Sequence, residues 1–132
     1  MTITRRGIFQ IAAAALLATS LSSAWAAKPT VEIVAFGHPP VQSALKPLRD
    51  WLATQGKKFN VVELDMETPA GEKRAAEVGI TGHVPILILV NGKFAFSRKD
   101  GTSVELKSFP AGVAAKGAWT IEDAKAAISA AH

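Results

Sequence analysis

Apolar residues along this chain fall into runs with two different periods, and the alternation between them predicts the elements. Val31 to Phe36 reads V-E-I-V-A-F, nearly continuous and β-branched, as a strand buried on both faces does. Gly37 ends it, and Pro39 and Pro40 forbid further ladder pairing. Ala44, Leu45, Leu48, Trp51 and Leu52 then recur at spacings of three and four, predicting a helix from about Val41 to Thr54 that Gln55-Gly56 stops. Pro47 sits inside that pattern and should kink the helix. Lys58 to Met66 returns as a strand, with Phe59, Val61, Val62, Leu64 and Met66 expected inward.

Thr68-Pro69 is a helix start, threonine as N-cap and proline at the first position, for a short helix to about Val78. Ile86 to Val90 is the most strand-like run, and Asn91-Gly92 is a strong hairpin signal. Lys93 to Arg98 is the expected return strand, with Phe94 and Phe96 on one face. Asp100-Gly101 turns the chain into a further strand, Ser103 to Phe109, where Val104 and Leu106 alternate. After a small-residue loop, Pro110 to Gly117, Thr120 caps a last helix over Ile121 to Ala130, with Ile121, Ala124 and Ile128 inward.

The order is β-α-β-α-β-β-(β)-α. A β-α-β unit of this length needs parallel strands and a crossover, so the expectation is an α/β domain with a central mixed sheet and flanking helices. A chain of 132 residues suits one such domain.

The first 26 residues follow another rule. Arg5 and Arg6 form a positive start, Ile8 to Leu21 is apolar and alanine-rich, and Ala24-Trp25-Ala26 supplies the small residues of a signal-peptidase site. We expect a signal peptide over 1–26, cleaved after Ala26, and a domain over 27–132. Thr4-Arg5-Arg6-Gly7-Ile8-Phe9 also resembles a twin-arginine signal, which leaves the general secretory and twin-arginine routes both open. The chain is then exported, to the periplasm, with no stable membrane insertion after cleavage.

Charge adds little. The formal net charge is +4, and two of the basic residues, Arg5 and Arg6, lie in the signal. No Lys/Arg run of five or more occurs and the aromatics are scattered, which argues against nucleic acid as a partner. The chain contains no cysteine, so thiol exchange, thiolate nucleophiles and Cys-ligated metals are excluded.

From Val31 to Ala130 the chain resembles the thioredoxin-like superfamily in its shorter, glutaredoxin-sized form. Phe36-Gly37-His38-Pro39-Pro40-Val41 stands where a C-P-P-C-type motif would fall, and Pro47 where such helices carry a proline. Val62-Glu63-Leu64-Asp65 is similar to the second strand with its acidic ending. Ala76 to Pro85, A-E-V-G-I-T-G-H-V-P, resembles the loop that ends in the family's cis-proline, and a strand and Asn91-Gly92-Lys93 turn follow. The resemblance implies a cis Val84-Pro85 peptide facing the His38 turn. Both cysteine positions are occupied by other residues, so the family's redox chemistry does not carry over.

No catalytic residue is assigned: neither histidine has a serine or threonine beside it in a recognisable triad order. The resemblance instead implies a protein-binding module, with an extended peptide or exported partner protein pairing to backbone left free beside the proline loop. His38, Pro39, Pro40, Val41, His83, Val84 and Pro85 would line that groove. The alternative is metal binding or delivery, His38 and His83 converging on copper or zinc with a carboxylate such as Glu67 completing the set.

Overall fold

The computed structural model describes residues 27–111 and 118–132; the expected signal peptide, 1–26, and residues 112–117 of the small-residue loop lie outside the described residues. The elements are β1 (Thr30–Ala35), α1 (Pro39–Thr54), β2 (Asn60–Asp65), α2 (Pro69–Glu77), β3 (Ile86–Val90), β4 (Ala95–Ser97), β5 (Ser103–Glu105) and α3 (Ile121–Ser129). The mixed α/β expectation holds. A three-stranded sheet runs β2-β1-β3, with β1 parallel to β2 and antiparallel to β3, and helices flank it.

β1 and β3 carry the core. All five residues of β3 are buried, and Val31, Ile33, Val34 and Ala35 of β1 join them. α1 lays Val41, Ala44, Leu45, Leu48 and Leu52 against this sheet, the face that the spacing predicts. The helix continues through Pro47, which is exposed together with Ser43, so the carbonyl deprived of its N–H partner lies on the wet side of the helix. Glu32 is the polar interruption in β1. Its carboxylate takes a bidentate pair from Arg74 of α2, at 2.6 and 2.7 Å, which clamps α2 to the middle strand.

Two sequence expectations fail here. Val61 and Val62 do not face inward: they are 45% and 40% exposed, because β2 is the outer strand of the sheet and the helices leave it largely uncovered. The second concerns the hairpin. Asn91 (φ 50) and Gly92 (φ 80) do make a two-residue turn, closed by Val90–Lys93 hydrogen bonds of 2.8 and 3.1 Å. The chain then leaves β3, and β4 pairs with β5 in a separate two-stranded sheet. The place beside β3 is taken by the segment after β5: Ile88 N–H donates to Leu106 O, Ser108 N–H to Ile86 O, and Leu87 bridges Lys107. Val104 and Leu106 are buried as the alternation predicts.

α3 is fixed to this region by charge. Thr120 and Asp123 form a reciprocal capping box at its start. Asp123 also accepts two 3.0 Å hydrogen bonds from Arg98, whose guanidinium reaches Ala118 O as well. Those Arg98 bonds, aided by the Thr120 N–H, hold the Asp123 carboxyl below the usual carboxylate range despite burial. A carboxyl depressed in the folded state adds stability that is present above its unfolded pKa of about 4 and lost as pH falls through the lower folded value. Asp123→Asn, which keeps an acceptor for the cap, should therefore lower stability at pH 6. It should also flatten the loss of stability below about pH 4, read from urea midpoints across the acid range.

Candidate functional site

The turn between β1 and α1 is built to hold its shape. His38 is the N-cap of α1 (φ −70, ψ 144), and its carbonyl accepts from Val41 and Gln42 N–H. Its side chain makes no cap hydrogen bond: Pro40 removes the second N–H of the helix, and the third, from Val41, goes to the His38 carbonyl. From behind, Gln42 Nε2 donates to Phe36 O at 2.7 Å, Arg49 donates to Gln42 Oε1 at 2.7 Å, and Arg49 also pairs with Glu63 at 2.6 Å. This chain of polar contacts runs from β2 through α1 to the end of β1 and fixes the turn.

The His38 imidazole is released from capping and reaches across the surface, placing Nε2 2.9 Å from Glu67 Oε1, with both side chains more than half exposed. Phe36 joins the two histidines. Its ring, 9% exposed, stacks on His83 with centroids 4.6 Å apart and 30° between planes, and meets His38 edge-on at 5.7 Å. The structure therefore brings His38, Glu67 and His83 around one phenyl ring. Phe36 is the site residue that sequence reasoning missed. Its signal was present, a large aromatic ending a strand beside the turn, but such a residue reads as core.

Other expected site residues are placed differently. Pro39 and Pro40 are exposed on the first turn of α1, and Val84 and Pro85 are half-buried. Val41 is 4% exposed and packs into the core, so it presents no surface to a groove, contrary to expectation; it lies on the inward stripe of α1 with Leu45 and Leu48. The expected cis peptide is likewise corrected: no cis bond occurs among the described residues, so Val84-Pro85 is trans. In that geometry Pro85 O accepts the Phe36 N–H at 3.0 Å, which extends the β1–β3 ladder by one rung.

The backbone just before Pro85 behaves otherwise. Among the described residues, none of the N–H or C=O groups of Thr81, Gly82, His83 and Val84 has a hydrogen-bond partner within the chain. Thr81, Gly82 and His83 are exposed, so these groups are open to water or to another chain. Thr81, Gly82 and His83 line an open cleft of about 570 Å³ together with Ala75 and Ala76 of α2, Phe36 and Met66. Glu67 and Glu72 supply its acidic rim. The cleft is thus lined by apolar side chains, by α2 and by a loop whose backbone groups are unpaired within the described chain.

As metal donors the residues are less well arranged. Among the described residues no group of three or more His, Asp or Glu side chains could hold a metal ion, even with Glu67 beside His38. His83 lies flat on Phe36, an orientation set by ring stacking. No helix of the described residues is long and apolar enough to cross a membrane. No family model, curated protein or solved structure matches the chain.

Proposed function

We propose that this chain is an exported, thioredoxin-like binding module without redox activity, which takes an extended peptide segment of a partner protein into the cleft between α2 and the Thr81–Val84 loop. The observation that carries the reading is the run of unpaired backbone groups along that loop. An extended peptide lying beside it would gain main-chain hydrogen bonds as an added strand, while the Phe36 and Met66 floor would receive every second side chain. Glu67 and Glu72 on the rim favour peptides with a basic residue near the apolar one. The β2-β1-β3 arrangement and the helix starting at the His38 turn are compatible with the thioredoxin-like layout. Absence of cysteine leaves such a groove usable, since it depends on backbone and shape.

The test is a screen of extended peptides followed by amide NMR of the complex. Binders with Kd in the range of about 1–100 μM are expected, and on saturation the Thr81–Val84 amides should shift and exchange more slowly. Ala76→Arg, which fills the cleft from an exposed position on α2, should weaken binding about tenfold or more and leave the melting midpoint within a few degrees. Peptides that bind without touching the Thr81–Val84 amides, or a screen with no binder at millimolar concentration, would remove the reading.

A further inference from the structure

The outer strand of the sheet is left open in a way that points to its own copy. β1 and β3 are buried almost throughout, whereas five of the six residues of β2 are exposed. The exposed large hydrophobic residues among those described are Val61 and Val62, adjacent on this strand. Its backbone direction is settled by its neighbours. Asn60 N–H donates to Pro29 O and Met66 N–H to Ala35 O, so the even-numbered residues turn their polar groups toward β1. Val61 and Glu63, which alternate with them, present N–H and C=O groups outward, and no described residue pairs with these.

The side chains along the edge are self-complementary when the strand is reversed. Lys57 and Lys58 precede β2, and Glu63 and Asp65 close it. We propose that two copies of this chain pair antiparallel through β2 about a two-fold axis perpendicular to the sheet at Val61, making one continuous six-stranded sheet. Such an axis keeps the same face of both sheets on the same side, so paired residues must share a face. Val61 then pairs with its twin through its outward backbone groups. Asn60 stands opposite Val62, and Lys57 and Lys58, in the turn that precedes the strand, come to the end of the partner strand that Glu63 and Asp65 close. The two exposed valines lie at the centre of the seam, and each basic end meets an acidic end, an arrangement that a parallel pairing would turn into like-charge contacts. Pairing limited to one short edge gives a small interface, so the dimer is a weak, reversible one.

Sedimentation equilibrium of the full chain tests this, with a monomer–dimer equilibrium expected between about 10 μM and 1 mM. Val61→Lys places like charges on the axis and should abolish the dimer while leaving the circular dichroism spectrum unchanged, its side chain being exposed. Lys57→Glu should weaken association about tenfold by setting acid against acid. Because the chain has no cysteine, Val61→Cys provides a single thiol whose twin lies across the axis. Mild oxidation should link it into a dimer, and Ser43→Cys, exposed on α1, should stay unlinked. A chain monomeric at 1 mM, or a dimer that survives Val61→Lys, overturns the proposal.

Discussion

Replacing Trp119 with alanine should destabilise the domain by about 4 kcal/mol and lower its melting midpoint by roughly 20 °C. The indole is fully buried although it lies outside every helix and strand, immediately before the Thr120 cap of α3. Its Nε1 donates to Ser108 O at 3.0 Å, and its own carbonyl accepts the Ala111 N–H at 2.6 Å. The Trp119 side chain therefore joins the start of α3 to the segment that lies beside β3. Ser108 sits at φ 68, a left-handed conformation that costs a serine about 1 kcal/mol. It is held there by the Trp119 bond on one side and by its N–H to Ile86 O on the other. Alanine removes the ring, the hydrogen bond and that restraint together. Trp119→Phe separates them: most of the volume stays and the bond goes, for an expected loss of about 1–2 kcal/mol. Urea denaturation of both variants, followed by circular dichroism, checks the ratio; equal losses would show that the hydrogen bond and not the packing dominates.

Gly71→Ala should cost about 3 kcal/mol or more, an unusual penalty for adding one methyl group to a helix, where alanine is normally the better residue by about 1 kcal/mol. A Cβ at Gly71 would overlap the Asp65 carbonyl oxygen and lie 2.7 Å from the Asp65 carbonyl carbon and 2.9 Å from Met66 Cα. These are backbone atoms that cannot step aside. The Asp65 carbonyl accepts both the Thr68 N–H at 3.1 Å and the Thr68 hydroxyl at 2.7 Å, and that hydroxyl in turn accepts the Gly71 N–H at 3.2 Å. Moving any member opens the N-cap of α2. Since Ala75 and Ala76 of α2 line the cleft and Glu67 lies in the same turn, the proposed peptide binding should fall with stability. Gly37→Ala is the control. There a Cβ meets only the Asp65 carboxylate at 3.6 Å, an ordinary contact, and a change within about 0.5 kcal/mol is expected. Thermal melts of the two variants side by side measure the difference.

Much of the fold was legible because its signals are local. Helical spacing in Ala44 to Leu52 identified the buried face of α1, and Thr68-Pro69 and Thr120 marked helix starts that the structure keeps. Asn91-Gly92 marked its turn for the same reason, since positive φ is a property of the residue pair itself. The candidate site was legible only in part. His38 and His83 were visible as polar residues at a turn and a loop, and Glu67 as a carboxylate within reach. That all three gather around the Phe36 ring depends on the His38–Glu67 and Phe36–His83 contacts, between residues far apart in the chain, which no local period encodes.

Strand neighbours were the least legible feature. A hairpin turn after β3 implied that the next strand would stay beside it, yet β4 leaves to pair with β5 and the Leu106–Ser108 segment takes the vacant ladder. Alternating Val104 and Leu106 promised burial without saying against which strand. Val61 and Val62 were misplaced for the same reason. β-branched residues mark a strand whether it is central or outermost, and exposure depends on what packs over it.

By itself, the sequence determined the order of helices and strands, the positions of the main turns and, through the absence of cysteine, the exclusion of thiol chemistry. Those properties follow from residue type and short-range spacing. Tertiary structure decided which strand lies at the edge of the sheet, which backbone groups remain unpaired beside the cleft, and that the Val84-Pro85 bond is trans. Each of these depends on what distant segments occupy the neighbouring space, and a hydrogen-bonding group is free or paired only in relation to them.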